Sequence, residues 1–186
     1  MPRRNPGQSA EPDLAGGLKR MWAPWRSAYL AAAERQGQQR CIFCFGRIGS
    51  KAMRDRLVLH AGPRASVMLN RYPYSSGHLL IAPRSHAASP ELLDRGERSA
   101  LAELIAIATA HLRKAYRPAG INIGANLGRA AGASFGDHMH WHLVPRWDGD
   151  ANFMTVLVST RVLAQPLAET YALLEPLFKA IDPAAI

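Results

Sequence analysis

Histidines at 138, 140 and 142 alternate with Met139, Trp141 and Leu143 and run into Val144-Pro145, and no other stretch constrains this chain as tightly. Successive side chains on a strand point to opposite faces, so this spacing predicts a strand over 138–145 with all three imidazoles on one face. Met139, Trp141 and Leu143 then share the other face, where a core can take them. On a helix the same three positions fan apart and make no common surface. Three of the chain's seven histidines fall within these five residues, and an accidental surface cluster accounts for that poorly. A row of this kind can ligate a metal or carry proton and group transfer.

The 186 residues, 48% hydrophobic and 20% charged, suffice for one domain with a sizeable core. No apolar run approaches the length of a membrane span, and the opening Met1-Pro2-Arg3-Arg4-Asn5 lacks the apolar centre of a signal peptide. The expected location is therefore the cytoplasm. A net charge of +9 points to a polyanionic partner, whether nucleic acid, membrane surface or phosphorylated small molecule. The basic residues are scattered rather than run together, however, and a solvated basic surface accounts for them equally well. Cys41 and Cys44, the only cysteines in the sequence, form a C-x-x-C pair. That pair is a redox couple, half of a metal site awaiting two more ligands, or two small buried side chains. Two cysteines exclude a disulfide framework.

Residues 1–18 are rich in Pro, Gly, Arg and Ala without periodicity and read as a disordered basic arm, with a single domain over 19–186. The tryptophans of Met21-Trp22-Ala23-Pro24-Trp25 need a surface to dock on, either the core or a partner subunit. A short helix is expected over Ser27–Arg35. Leu57–His60 and Ala65–Leu69, joined by a Gly-Pro turn, read as a hairpin, and His78–Pro83 as a central strand. Between them, Asn70–Gly77 is a loop. Ser89-Pro90 looks like a helix start, and apolar residues from Leu101 to Ala115 give the longest helix, over Glu97–Tyr116. Ile121–Asn126 is a fourth strand. After it comes the glycine-rich loop Leu127–Asp137, whose glycines let backbone N–H groups approach an anion, although no Gly-Lys-Ser/Thr follows to make it a P-loop. A strand at Phe153–Val158 and a helix over about 165–180 close the chain. Strands with one long crossing helix make the class α+β with an antiparallel sheet.

Together these residues resemble the histidine-triad (HIT) superfamily. The likeness rests on His138-x-His140-x-His142 followed by apolar residues. It extends to Asn70-Arg71-Tyr72-Pro73 through Gly77-His78-Leu79-Leu80-Ile81 to Pro83, then His86, and Asn126-x-Gly128 through Gly132-x-Ser134. It covers roughly 41–147, with 148–186 as a C-terminal extension. Trp22-x-Pro24-Trp25-Arg26 before the cysteines and Trp147-x-Gly149-Asp150 after the triad are similar to the bacterial branch of diadenosine tetraphosphate phosphorylases and related dinucleoside-polyphosphate enzymes.

The resemblance implies a five-stranded antiparallel sheet, a homodimer joining two such sheets, and a nucleotidyl transferase acting on dinucleoside polyphosphates. His140 would attack the α-phosphorus and form a nucleotidyl-histidine intermediate. His142 would donate a hydrogen bond to a phosphate oxygen. Gly132, Ala133 and Ser134 would hold non-bridging oxygens, Asn126 would position the phosphate, and Asn70 would meet the nucleoside sugar. As in zinc-containing relatives, Cys41, Cys44, His86 and His138 would bind one structural zinc, a closed set of four. His78 matches a position where relatives keep a histidine near the triad, able to orient a ring; a supporting core histidine is an equal reading.

One departure matters. Hydrolase branches carry Gly-Gln-Ser before the triad, where this chain has Gly132-Ala133-Ser134 in a loop one residue longer. Alanine has no amide to offer the phosphate, which weakens simple hydrolysis and favours the phosphorylase-like branch. The alternative is a hydrolase of dinucleoside polyphosphates or nucleoside phosphoramidates. A zinc metallohydrolase using the histidine row, or a nucleic-acid-binding module, is less favoured.

Overall fold

The computed structural model describes residues 41–133, 137–150 and 165–182. The expected basic arm, its tryptophans, the helix at 27–35, Ser134 and the strand at 153–158 lie outside the described residues. Among those described, no helix is long and apolar enough to cross a membrane.

The chain runs α1 (Ser50–Asp55), β1 (Val58–Ala61), β2 (Ala65–Leu69), β3 (Leu79–Pro83), a 3-10 turn (Pro90–Leu92), α2 (Arg95–Tyr116), β4 (Gly120–Ala125), a 3-10 turn (Arg129–Ala131), β5 (Trp141–Arg146) and α3 (Leu167–Lys179). The five strands form one sheet in the order β1-β2-β3-β5-β4, antiparallel at every pairing. The α+β class is as expected, and so are the hairpin and the central position of β3, whose five residues are all buried.

One face of the sheet carries Leu59, Val67, Leu69, Leu79, Ile81 and Leu143, and α2 lies on it through Leu101, Leu104, Ala108 and Leu112. Each such leucine contributes about 1.5–3 kcal/mol by leaving water. The fit of α2 explains Gly77. It sits at φ +79°, and a Cβ there would stand 2.9 Å from Cε2 of Tyr116 at the end of α2. α3 closes over β1, with Tyr171 OH donating to the Val58 carbonyl at 2.9 Å. The opposite face carries a smaller cluster, Phe43, Phe45, Val58, Met68, Leu80 and Ala82.

Three boundaries differ from expectation. Ser89-Pro90 begins only the 3-10 turn, and α2 starts at Arg95, ahead of the expected Glu97, because Asp94 and Glu97 form a reciprocal capping box, with Glu97 N–H donating to Asp94 Oδ1 at 2.7 Å. The connection after the cysteines contains α1. Most relevant to function, β5 begins at Trp141, so only His142 of the histidine row lies in a strand. The ladder stops because Met139 N–H turns away to donate to the Ala87 carbonyl at 2.7 Å, and Pro83, at the end of the neighbouring strand, has no N–H to offer. The alternation survives nonetheless. Met139 and Leu143 enter the α2 side of the core, while His138 and His140 stack against Phe43 on the other face.

Candidate active site and metal centre

The C-x-x-C turn, closed by Cys44 N–H donating to the Cys41 carbonyl at 3.2 Å, brings both sulfurs to the end of β3. Cys41 Sγ lies 3.3 Å from His138 Nδ1, and Cys44 Sγ lies 3.2 Å from His86 Nδ1 and 3.5 Å from His138 Nδ1. The two Nδ1 atoms are 3.3 Å apart, and all four donor atoms fall within 4.8 Å of one another. Hydrogen bonds between pairs do not require four donors to converge on one point; a shared metal ion does. His138 is fixed for that role from behind. Its Nε2–H donates to the Pro83 carbonyl at 3.1 Å, leaving the Nδ1 lone pair facing the thiols. Burial holds His138 below the usual histidine range, so it stays neutral and able to ligate. Burial and the neighbouring Cys41 push the Cys44 thiol up, while the Arg84 guanidinium pulls it back.

His140 is buried, at 5% exposure, and Nδ1–H donates to the His138 carbonyl at 3.1 Å. That bond settles the tautomer: the proton is on Nδ1, and Nε2 is the bare acceptor. Burial lowers the His140 pKa, the bond to His138 partly offsets this, and a free imidazole lone pair is therefore present at neutral pH.

A second chain of bonds settles His142. Tyr74 N–H donates to His78 Nδ1 at 3.0 Å, and Asn70 Nδ2 approaches the same nitrogen at 3.4 Å. His78 therefore carries its proton on Nε2 and donates it to His142 Nδ1, 3.0 Å away. The proton of His142 is left on Nε2. Burial first, and the charge of His140 second, lower its pKa to about 4. His140 and His142 thus present opposite tautomers, a lone pair beside an N–H donor, with ring centroids 4.9 Å apart. His78 is the ring-orienting histidine of the two readings open from sequence.

Of the residues expected to meet a phosphate, Asn126 is placed by register. Gly124 pairs with His142 and Ala125 with Trp141, the last pair of the ladder, so Asn126 leaves β4 beside the end of β5 that His140 precedes. The loop then reverses at Gly128 and Gly132, both at positive φ, +79° and +91°. Ala133 is buried and its N–H donates to the Gly128 carbonyl at 3.3 Å, so the turn holds its own shape. Asn70 is half-buried, with Oδ1 accepting from Tyr72 N–H at 3.0 Å.

Sequence reasoning missed three neighbours. Phe43, between the cysteines, stacks on His140 with centroids 4.8 Å apart at 29°. Tyr74 lies parallel to His142, at 6.1 Å and 10°. Arg84 donates from Nη2 to the Phe45 carbonyl and lies 4.3 Å over the Phe45 ring. An aromatic inside the C-x-x-C was the one available signal; the other two depend on loops meeting in space.

The model of the HIT domain matches residues 52–149. The chain belongs to the HIT-domain family. A HIT relative, the AP-4-A phosphorylase of Mycobacterium tuberculosis, is 36% identical over 161 residues, covering 84% of this chain and 83% of that protein. An uncharacterized HIT-like protein of Saccharolobus solfataricus is 30% identical over 115 residues, covering 61% of this chain and 79% of its own length. Among solved structures, a hypothetical histidine triad nucleotide-binding protein from Sulfolobus tokodaii superposes with a TM-score of 0.55 at 24% identity, over 75% of this chain and 89% of its own. A Zn-bound histidine triad family protein from Mycobacterium smegmatis gives 0.53 at 20%, over 82% and 92%. These likenesses show the HIT fold. The chain is a HIT-family enzyme, and four of its residues form a group able to hold a metal.

Proposed function

We propose that this HIT protein is a nucleotidyl transferase that cleaves dinucleoside polyphosphates by phosphorolysis, through a covalent nucleotidyl-His140 intermediate. The observation that carries the reading is the fixed tautomer of His140: Nδ1–H is held by the His138 carbonyl, so Nε2 is a neutral nucleophile. Its attack on the α-phosphorus forms a P–N bond and breaks the P–O bond to the departing nucleoside polyphosphate. His142, with its proton on Nε2, donates to a phosphate oxygen as charge moves onto it. An oxygen of inorganic phosphate then forms a new P–O bond as the P–N bond breaks, releasing a nucleoside diphosphate. Asn126, Gly132, Ala133 and Ser134 hold the phosphate, and Asn70 meets the sugar. The relative that is an AP-4-A phosphorylase, matched over most of both chains, supports the substrate class, and Ala133 in place of a glutamine supports phosphate rather than water as acceptor.

The metal in this reading is zinc, held by Cys41, Cys44, His86 and His138. Zinc–sulfur and zinc–nitrogen bonds of about 2.3 and 2.0–2.1 Å make a tetrahedron with edges of roughly 3.3–3.8 Å. Four of the donor–donor distances here are 3.2 to 3.5 Å. With four protein ligands the ion has no open position and supplies a brace for the fold. We further propose one domain over 19–186, a cytoplasmic location, and a homodimer. Among the described residues β4 is an edge strand, and its Ile123 is 45% exposed, a surface suited to a second copy.

The test supplies diadenosine tetraphosphate with and without inorganic phosphate. ADP plus ATP, formed only with phosphate, is the expected result; AMP plus ATP regardless of phosphate would make the enzyme a hydrolase. Mass spectrometry should find a nucleotidyl adduct on His140 that is absent from His140→Ala.

A further inference from the structure

The cysteine turn does more than supply two sulfurs. Phe43, flanked by the ligands Cys41 and Cys44, is 1% exposed, and its ring meets both His138, at 5.1 Å and 42°, and His140, at 4.8 Å and 29°. His140 is pinned at one atom by the bond from Nδ1 to the His138 carbonyl. One hydrogen bond fixes that nitrogen but leaves the tilt of the ring about the bond to packing, and the face that packs against it is Phe43. Two parts of the metal centre thus converge on the nucleophile: the backbone of the ligand His138, and the side chain between the two cysteine ligands.

The turn is anchored on the sheet by Phe43 and Phe45, which pack with Val58, Met68, Leu80 and Ala82. Arg84 holds its exit, donating to the Phe45 carbonyl and stacking on the Phe45 ring. Among the described residues, the two sulfurs find their polar partners in the cluster they share with His86 and His138. Without an ion at that cluster, the sulfurs on either side of Phe43 lose their shared tie, and the attitude of the ring is left to its packing on the sheet.

We propose that Phe43 is a positioning residue for the nucleophile, holding the His140 imidazole in the attitude from which Nε2 attacks, so that occupancy of the Cys2His2 centre is transmitted to His140 through this ring. The inference rests on the reading of His140 as nucleophile and of the cluster as a metal centre. A ring that served only as core packing would be replaced adequately by a side chain of similar bulk. A ring that sets the tilt of His140 needs its flat face.

The experiment uses the full chain loaded with zinc, comparing wild type, Phe43→Leu and Phe43→Ala with diadenosine tetraphosphate and inorganic phosphate. In Phe43→Leu, kcat should fall about tenfold or more with KM within about twofold, while metal content and cooperative melting are kept. Chelation of wild type should lower kcat towards the same level before the far-ultraviolet dichroism changes, and should lower it little further in Phe43→Leu. A readout independent of turnover is carbethoxylation of His140 by diethylpyrocarbonate, mapped by mass spectrometry. It should quicken both in Phe43→Leu and in demetallated wild type. Phe43→Ala, should it lose the fold, leaves the leucine variant to decide. Wild-type kcat and labelling in Phe43→Leu, or a kcat that falls only in proportion to bound metal, would overturn the inference. A wild type that binds no zinc, or a His140→Ala protein with full turnover, would instead overturn the reading beneath it.

Discussion

Replacing His78 by leucine removes the centre of the chain from Tyr74 N–H through His78 to His142 while roughly keeping the volume. In the wild-type protein the 3.0 Å bond from His78 Nε2 to His142 Nδ1 forces the proton of His142 onto Nε2, where it can meet a phosphate oxygen. Without His78 nothing selects that tautomer, and the donor at Nε2 is lost whenever the proton sits on Nδ1. A hydrogen bond to a charged group is worth about 1.5–3 kcal/mol, so kcat should fall roughly 10- to 150-fold. KM should move little, because the bond strengthens as charge moves in the transition state. Stability should fall as well, since Tyr74 N–H and His142 Nδ1 lose partners; about 2–3 kcal/mol corresponds to roughly 5–10 °C in a chain of this size. His78→Gln offers an amide N–H towards Nδ1 and should recover part of kcat. The assay is steady-state turnover of diadenosine tetraphosphate with phosphate, beside thermal melting of each variant. A folded His78→Leu enzyme with kcat within twofold of wild type would refute the tautomer argument.

Removing the metal should destabilise before it does anything else to the fold: a chelator is expected to lower the melting temperature by many degrees, zinc to restore it, and Cys44→Ser to be insensitive to both. Equal melting with and without chelator contradicts a brace. Stability should also depend on pH. His60, His111 and His142 are held below their unfolded value near 6.5, chiefly by burial, so the unfolded chain binds more protons between the two values. Their contribution is complete above about pH 6.5 and is lost as pH falls, for His142 down to about 4; urea midpoints at pH 7.5, 6 and 5 should decline in that order. Gly77→Ala should cost about 2 kcal/mol or more, from positive φ and from the 2.9 Å approach of Tyr116; a melting curve superimposable on wild type is incompatible with that contact.

Local rules reached far into this chain. The α+β class, the strands and the long helix followed from short apolar runs bounded by turn residues, from the alternation of the histidine row and from a 3.6-residue period, all of which depend only on near neighbours. The histidine row, with its apolar alternates Met139 and Leu143, marked both the core side and the site side of one segment before any tertiary contact was known. Boundaries proved less legible. β5 starts at Trp141 because Met139 bonds to Ala87, and α2 starts at Arg95 because Asp94 and Glu97 close a capping box there. The first is set by a partner distant in sequence; the second is set locally, by the Asp94-x-x-Glu97 pattern.

The sequence by itself determined which residues can do chemistry here: three histidines in a row, two cysteines, one more histidine and a glycine-rich loop. Only the tertiary structure decided which nitrogen of each ring is left free. Whether a histidine ligates, attacks or donates depends on which nitrogen holds the proton, and that is set by the carbonyl of Pro83 for His138, the carbonyl of His138 for His140, and the Nε2–H of His78 for His142. Three identical side chains at equal spacing acquire different free nitrogens, and so fit the different parts proposed for them, because folding gives each a different partner on the ring's other side.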